Sequence, residues 1–176
     1  MTAAHCVDDI YRWDYVIVGD HSRINASDGT KYEVCRFMEH PKYHKLRPKM
    51  IPKYDFSILH LKKPVEIGPR AVPACLPTLK HGGDFLAGKI LTASGWGITL
   101  NTSDDSDYYG GTDRLRFVKV PGITNVECEK LYINDTDNHT KNSYGDSPPI
   151  YAAELCAGDT DIGGIDTCMG DSGGNI

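Results

Sequence analysis

The pentapeptide Gly170-Asp171-Ser172-Gly173-Gly174 places one serine among glycines near the end of a sequence of 176 residues. A serine hydroxyl is a weak nucleophile at neutral pH, so it needs a base to take its proton and hydrogen-bond donors to stabilise the oxyanion. Glycine lets the backbone turn sharply, so the N–H groups of Gly170 and Ser172 can face the same oxygen atom. The pattern predicts a catalytic serine, and the alternative is a solvated glycine-rich turn.

A candidate base lies at the other end of the chain, in the segment Thr2-Ala3-Ala4-His5-Cys6. Histidine titrates near neutrality and can take and return a proton. The small alanines suit a tight helical turn beside a buried site, and Cys6 can hold that turn through a disulfide. Most of the seven histidines are expected to be ordinary surface residues. Its neighbours distinguish His5 as the candidate general base.

A carboxylate that orients such a histidine should be buried and should accept a hydrogen bond from the second ring nitrogen. Asp55 opens the segment 55–61, in which Phe56 and Ile58 alternate with other residues. A strand in which apolar Phe56 and Ile58 alternate with small residues would bury its first residue, Asp55, beside the core. The alternative is an aspartate that caps a turn, which is common at the start of a strand.

Short β-like runs dominate the rest of the chain, and each is bounded by Gly, Pro, Asp or Asn. Such spacing favours an all-β sandwich or barrel. The predicted strands are Tyr15–Val18, Phe56–Leu59, Lys89–Thr92 and Leu115–Val120. One helix is predicted over Thr124–Tyr132, because Thr124 and Glu127 have the spacing of a capping box.

Five segments in this order resemble the successive signature blocks of the trypsin/chymotrypsin family of serine proteases. The chain order His, Asp, Ser is that of this family and differs from that of subtilisins and α/β-hydrolases. The resemblance implies an all-β fold of two six-stranded antiparallel Greek-key barrels, with residues 1–80 in a partial N-terminal barrel and 81–176 in a partial C-terminal barrel. The five segments are Thr2–Cys6, Asp55–Leu59, Ser94–Gly97, Leu155–Gly158 and Gly170–Gly174.

The resemblance also implies roles for individual residues. Ser172 is expected to be the nucleophile, His5 the general base and then acid, and Asp55 the residue that holds the imidazole tautomer. The N–H groups of Gly170 and Ser172 are expected to form the oxyanion hole. Asp166 lies six residues before Ser172, where trypsin-like members place an aspartate at the base of the specificity pocket. We therefore expect cleavage after Arg or Lys, whereas a solvated loop acid is the alternative for Asp166.

Among the cysteines, the resemblance pairs Cys128 with Cys156. Cys75 resembles a cysteine that often tethers an upstream light chain or prodomain. Cys6 and Cys168 have family partners outside these 176 residues, and Cys35 has no counterpart. The family domain extends beyond both ends of the chain. In the family the acid at Asp171 pairs with an amino terminus released by zymogen cleavage, so we expect the chain, which is truncated at both ends by this interpretation, to have little activity.

Composition and sequence motifs limit the cellular location and the classes of partner that we expect. The net charge is −5 and the pI about 5.7, which disfavours nucleic acid or an anionic membrane as a partner. Dispersed cysteines and four sequons indicate a secreted glycoprotein, although no signal peptide stands at Met1. Protein or peptide substrates and proteinaceous inhibitors are the expected partners. The sequons begin at Asn25, Asn101, Asn134 and Asn138.

No cofactor and no metal is expected. Gly19 and Asp20 begin a loop that binds calcium in some relatives of the family, and Asp28 is a second acid there. Further ligand positions hold Ser27, Thr30 and Lys31 rather than acids, so we do not expect calcium to bind. A non-catalytic homologue that acts as a binding or regulatory module is the alternative to an endopeptidase, although such homologues usually lack a triad residue.

Overall fold

A computed structural model describes residues 1–8, 14–24, 28–43, 54–76, 78, 83–99, 111–134 and 154–176. Most of its regular structure is antiparallel β-sheet. The helices are α1 (His5–Asp8), a 3₁₀ helix over Gly83–Leu86 and α2 (Asn125–Asn134). The strands are β1 (Tyr15–Val18), β2 (Thr30–Glu39), β3 (Ser57–Leu61), β4 (Ile90–Gly95), β5 (Arg116–Ile123) and β6 (Cys156–Ala157).

The first sheet has the order β1-β2-β3, and all of its pairs are antiparallel. Tyr15 faces Glu33 at one side of β2, and Glu39 faces Ser57 at the other. The register shifts between Val34 and Arg36, which is a bulge at Cys35. The second sheet has the order β4-β5-β6, again antiparallel. Each half of the chain thus supplies one three-stranded sheet.

Small side chains form most of the buried apolar core in the described part of the chain. One cluster lies in the N-terminal segment, where Ala4 and Val7 are fully buried, and another lies on alternate positions of β4 and on β5. In β4 the alternation is regular, since Leu91 and Ala93 point inward. The buried apolar residues are Ala3, Ala4, Val7, Leu91, Ala93, Val120 and Cys128.

Exposure alternates at the start of strand β3. Phe56 is 39% exposed and Ile58 43%, whereas Ser57 is fully buried. The buried hydroxyl of Ser57 donates to the carbonyl of Met38 at 3.1 Å, so its polar group is satisfied. The residue that faces the core is therefore Ser57, whereas the Asp55 side chain, which was expected to be buried, is 21% exposed.

The two halves meet at a bridge between Ser22 and Arg114. Around it the N–H of Arg23 donates to the carbonyl of Asp113 at 2.8 Å, and the N–H of Leu115 donates to the carbonyl of His21 at 2.9 Å. The sequence boundary predicted between residues 80 and 81 lies outside the described residues, and so do the sequon asparagines Asn25, Asn101 and Asn138. Asn134 is the last residue of α2. Within the described residues no helix is long and apolar enough to cross a bilayer.

Candidate active site

Helix α1 fixes the backbone of His5. The turn closes through the N–H of Cys6 on the carbonyl of Ala3 at 3.3 Å and the N–H of Val7 on the carbonyl of Ala4 at 2.9 Å. Because Ala3, Ala4 and Val7 are buried, the turn packs tightly and leaves the side chain of His5 facing outward. The alanines predicted a packed helical turn, and the structure contains one.

A short bridge between the first residues and β3 brings His5 close to Asp55. The N–H of Thr2 donates to the carbonyl of Ser57 at 2.9 Å, and the N–H of Ser57 donates to the carbonyl of Thr2 at 2.7 Å. Thr2 lies three residues before His5, and Ser57 lies two residues after Asp55. This reciprocal pair therefore sets the distance between the two side chains.

Asp55 binds both the backbone and the ring of His5. Its Oδ1 accepts the backbone N–H of His5 at 2.8 Å, and its Oδ2 lies 2.6 Å from the ring Nδ1. The side chain of Asp55 is 21% exposed and that of His5 is 45% exposed. Since an ionised carboxylate only accepts hydrogen bonds, the ring proton belongs on Nδ1, and Nε2 carries the lone pair.

The segment of Ser172 lies beside the same turn. A Cβ on Gly173 would overlap Thr2 and the backbone N of Ala3, so these backbones are in contact. The thiol of Cys6 lies 3.6 Å from the carbonyl oxygen of Ser172 and 3.6 Å from Nε2 of His5. The structure thus brings residues 5, 55 and 172 together, although in the described part of the chain Nε2 has no hydrogen bond to the hydroxyl of Ser172.

Hydrogen bonds to Asp171 hold the turn that contains Ser172. The carboxylate of Asp171 accepts the N–H of Gly97 at 2.7 Å and the N–H of Cys168 at 3.0 Å. Two backbone donors therefore satisfy the half-buried carboxylate of Asp171. Gly170 has φ +93° and Gly173 has φ +78°, values that favour glycine. The oxyanion donors predicted at Gly170 and Ser172 lie within this turn.

Asp166 lies at a cavity of about 150 Å³. The cavity is bounded by β4, by residues 97–99 and by the segment that leads to Asp171. Oδ1 of Asp166 accepts the N–H of Thr167 at 2.7 Å. In the described part of the chain no Lys, Arg or His forms an ion pair with Asp166, although Arg116 lines the same cavity.

The structure links Cys128 of α2 to Cys156 of β6 in a disulfide that spans 28 residues of sequence. Cys6, Cys35, Cys75 and Cys168 are free thiols within the described residues. Burial, followed by the negative charge of Asp55, raises the pKa of the Cys6 thiol. The thiol beside His5 is therefore mostly protonated at neutral pH and is not poised as a nucleophile.

The loop at Asp20 and Asp28 holds a guanidinium. Arg70 lies 3.9 Å from Oδ2 of Asp28 and also donates to the Asp28 carbonyl. A hydrogen bond from Asp20 is the main cause that lowers the pKa of Asp28. Within the described residues no group of three or more His, Cys, Asp or Glu side chains could hold a metal ion.

Sequence reasoning missed Ser57 and Gly97. Ser57 forms the bridge to Thr2. The feature of the sequence that could have indicated it is a small polar residue between two large apolar ones. Gly97 donates its N–H to Asp171, and a Cβ at this position would collide with that carboxylate. The close approach of a carboxylate to this backbone explains why residue 97 is a glycine, but the sequence did not reveal that the carboxylate is that of Asp171.

Comparison with known families decides the classification, since the family model described as Trypsin matches residues 1–176. The chain belongs to the trypsin family. Its fold class, an all-β fold of antiparallel sheets with few helices, is therefore confirmed, and the two sheets are consistent with parts of the two barrels expected for this family.

Relatives of this trypsin-family chain include proteins from insects and a horseshoe crab. It is 33% identical to Trypsin 5G1 of Aedes aegypti over 100% of its own length and 56% of that protein. It is 32% identical to serine proteinase stubble of Drosophila melanogaster over 99% of its length and 20% of that protein. It is also 32% identical to the clotting factor G beta subunit of Tachypleus tridentatus, over 100% of its length and 52% of that protein.

A solved structure shows the same fold. The chain superposes on neuropsin, a serine protease expressed in the limbic system of mouse brain, with a TM-score of 0.70 and 26% identity. The match covers 98% of this chain and 64% of neuropsin. The trypsin-family chain thus spans from a fifth to about six tenths of the length of these relatives.

Proposed function

We propose that this protein is a serine endopeptidase that cleaves peptide bonds after Arg or Lys, with His5, Asp55 and Ser172 as its triad. The observation on which the proposal depends is the 2.6 Å contact between Nδ1 of His5 and Asp55, made beside the turn that contains Ser172. Membership of the trypsin family supports the reaction class. Residues 1–80 and 81–176 would each contribute part of one barrel to the cleft.

The chemistry follows from the tautomer that Asp55 selects. Nε2 of His5 takes the proton of the Ser172 hydroxyl as its oxygen attacks the substrate carbonyl carbon. The N–H groups of Gly170 and Ser172 stabilise the negative oxygen that forms. His5 then gives the proton to the leaving amine, the C–N bond breaks, and an acyl-enzyme remains. His5 then takes a proton from water, whose oxygen attacks the acyl carbon. The bond to the Ser172 oxygen breaks, and His5 returns the proton to that oxygen.

Asp166 supports the specificity for basic residues. Its carboxylate faces a cavity and has no ion pair with any residue that the structure describes, so it is available to a cationic side chain. A Lys or Arg substrate side chain would form a charge-assisted hydrogen bond there, whereas an acidic one would be repelled.

Secretion, glycosylation and chain partners belong to the same proposal. The four sequons and the disulfide fit an oxidising compartment. Cys75 is exposed and free, which supports a disulfide to an upstream light chain or prodomain. One relative is described as a beta subunit, the clotting factor G protein of Tachypleus tridentatus. Protein substrates and proteinaceous inhibitors are the other expected partners.

The test is covalent labelling with a fluorescent fluorophosphonate, followed by peptide mapping, and it uses a form that spans the whole trypsin-family domain, because residues 1–176 cover 64% of the neuropsin chain and are expected to have little activity alone. This form is the wild type and the parent of each variant in the activity experiments below. We expect one labelled serine, Ser172, with no label in the Ser172→Ala and His5→Ala variants and full label in Thr160→Ala, which changes an exposed loop hydroxyl. Absence of label from folded wild-type protein, or label that persists in Ser172→Ala, would favour the non-catalytic binding module instead.

A further inference from the structure

Three arginines line one cavity beside the proposed active site, in a part of the structure that the triad and Asp166 leave unexplained. The cavity has a volume of about 380 Å³ and lies at the junction of the two halves. Arg23 comes from the half that contains His5, whereas Arg114 and Arg116 come from the half that contains Ser172. We call this cavity, lined by Arg23, Arg114 and Arg116, the arginine cavity.

Among the residues that the structure describes, one acid lines the arginine cavity with the three arginines. Asp113 is the acid that lines it, and its Oδ1 already accepts the N–H of Ile24 at 2.9 Å and the hydroxyl of Ser22 at 2.8 Å. The N–H of Ile24, with that hydroxyl next in importance, lowers the pKa of Asp113, so it stays ionised at neutral pH. Its Oδ2 lies 3.9 Å from Nε of Arg114, which is a long contact.

The other two guanidinium groups remain available. Nε of Arg23 donates to the carbonyl of Thr112 at 3.3 Å, which fixes the side chain without neutralising it. Neither Arg23 nor Arg116 forms an ion pair with any described residue, and both are exposed. Two free planar cations at one concave site suit a carboxylate, which binds guanidinium through paired hydrogen bonds.

The arginine cavity is close to the proposed cleavage site. Ile98, Thr99 and Arg116 line both this cavity and the cavity that contains Asp166. The N–H of Ile98 donates at 2.8 Å to the carbonyl of Met169, the residue before Gly170. One backbone hydrogen bond therefore joins the lining of the arginine cavity to the segment that leads to Ser172.

The geometry points to the arginine cavity as a substrate subsite that binds an acidic side chain on the leaving-group side of the scissile bond. The acyl side of the substrate is anchored at Asp166, and its leaving amine must lie toward His5, which protonates it. The arginine cavity adjoins the Asp166 cavity through Ile98, Thr99 and Arg116, and Arg23 belongs to the half that contains His5. We therefore assign the leaving-group segment to the arginine cavity. This inference rests on the proposed function, because it assigns the specificity of the same cleft.

The experiment compares two fluorogenic peptides that share an Arg before the scissile bond and differ by Asp or Asn two residues after it. We expect the wild-type protein to show a kcat/KM about three- to tenfold higher for the Asp peptide, since an exposed ion pair contributes about 0.2–1 kcal/mol and two are available. The Arg23→Gln/Arg116→Gln variant should reduce that ratio to about one. Arg36→Gln, which removes an exposed arginine of β2 remote from the cavity lining, should keep the wild-type ratio.

Two further measurements distinguish failure of the proposed subsite from failure of the proposed function. Asp placed two residues before the scissile bond should give no preference, and higher ionic strength should diminish the preference for the leaving-group Asp. Equal rates for the two peptides in the wild type, or a ratio that persists in the double variant, would overturn the subsite. If neither peptide is cleaved, the proposed function fails, and fluorescence anisotropy of the labelled peptides on Ser172→Ala still tests the subsite by the same Asp-to-Asn ratio.

Discussion

The carboxylate of Asp55 holds His5 at two points, the backbone N–H at 2.8 Å and the ring Nδ1 at 2.6 Å. One hydrogen bond fixes where the residue sits, and the other fixes which ring nitrogen bears the proton. The same carboxylate accepts both hydrogen bonds. A rotation of the imidazole that moves Nδ1 away from Oδ2 of Asp55 would therefore break one of them without a replacement. Asp55 is therefore placed to keep the ring proton on Nδ1 and the lone pair on Nε2.

Asp55→Asn should abolish most catalysis while preserving the fold. The amide nitrogen is a donor, so it favours the tautomer with the proton on Nε2, which cannot accept the serine proton. We expect kcat to fall about 10⁴-fold, the loss known for this change in a Ser-His-Asp triad, with KM little changed. Steady-state kinetics with an Arg-containing amide substrate measures it. Asp161→Asn, at an exposed loop acid, is the control. Activity within a factor of ten of wild type would contradict the role of Asp55.

Asp166→Ser should remove the preference for basic residues. Loss of one partner of a desolvated charge pair costs about 2–5 kcal/mol, so kcat/KM for Arg and Lys substrates should fall by about two to three orders of magnitude. Substrates with an apolar residue before the scissile bond should not lose rate. Profiling with a peptide library gives both values at once. An unchanged Arg-to-Leu ratio would make Asp166 a solvated loop acid.

The disulfide between Cys128 and Cys156 should be a major source of stability. A loop of 28 residues closed by a disulfide contributes about 3–4 kcal/mol in the chain-entropy model. Cys128→Ala/Cys156→Ala should lower the free energy of unfolding in urea by about this amount or more, since Cys128 is buried and its loss leaves space. Cys35→Ala/Cys75→Ala, at two exposed free thiols, should change it little. Equal effects of the two pairs would argue against the disulfide.

The sequence predicted the elements whose local signals agree with their environment. β1 has the predicted bounds Tyr15–Val18, and the helix predicted over 124–132 is α2. Thr124 and Glu127 form the capping box, in which the N–H of Glu127 donates to the Thr124 hydroxyl at 3.2 Å and Oε2 of Glu127 accepts the Thr124 N–H at 3.1 Å. The capping box joins residues three apart in sequence, so residue spacing alone predicts it.

The longest strand, β2 (Thr30–Glu39), was not predicted. Its first half alternates, with Tyr32 and Val34 turned inward, but the bulge between Val34 and Arg36 breaks the period of two. Both Phe37 and Met38 are then exposed, so no single pattern runs through the strand. A bulge depends on the partner strand, which a local sequence signal does not contain.

In the candidate site, too, local signals could be predicted and long-range contacts could not. The motif spacing indicated His5, Asp55 and Ser172, but the contacts that hold them, Thr2 with Ser57 and Gly97 with Asp171, join segments 55 and 74 residues apart. Such pairs follow from how the chain folds back on itself, and a single sequence gives no signal for them. This explains why the residues of the predicted triad could be named while their supports could not.

The capping box should make the stability of α2 depend on pH. The Thr124 hydroxyl and N–H lower the pKa of Glu127, the hydroxyl being the larger cause. A carboxyl whose folded pKa lies below its unfolded value stabilises the protein above the unfolded pKa, and this stabilisation is lost as the pH falls through the folded pKa. Glu127→Gln should therefore be less stable than wild type at neutral pH in urea unfolding, and the difference should vanish below about pH 4, the ordinary range for Glu. Glu129→Gln, two residues away, should show no such trend, and a pH-independent Glu127→Gln deficit would mean that packing rather than charge is lost.

The thiol of Cys6 should titrate above the ordinary range of cysteine. Burial, and then the negative charge of Asp55, raises its pKa, so little thiolate is present at neutral pH. Alkylation by iodoacetamide, followed by mass spectrometry of the peptide that contains Cys6, should give a rate against pH with a midpoint above about 8.5, the value for a free thiol. Asp55→Asn removes the nearby charge, so it should move that midpoint downward, whereas Asp161→Asn should leave it in place. A midpoint that does not respond to Asp55→Asn would show that the carboxylate is not held beside the turn of α1, and the hydrogen bond between Asp55 and His5 would then have to be reconsidered as well.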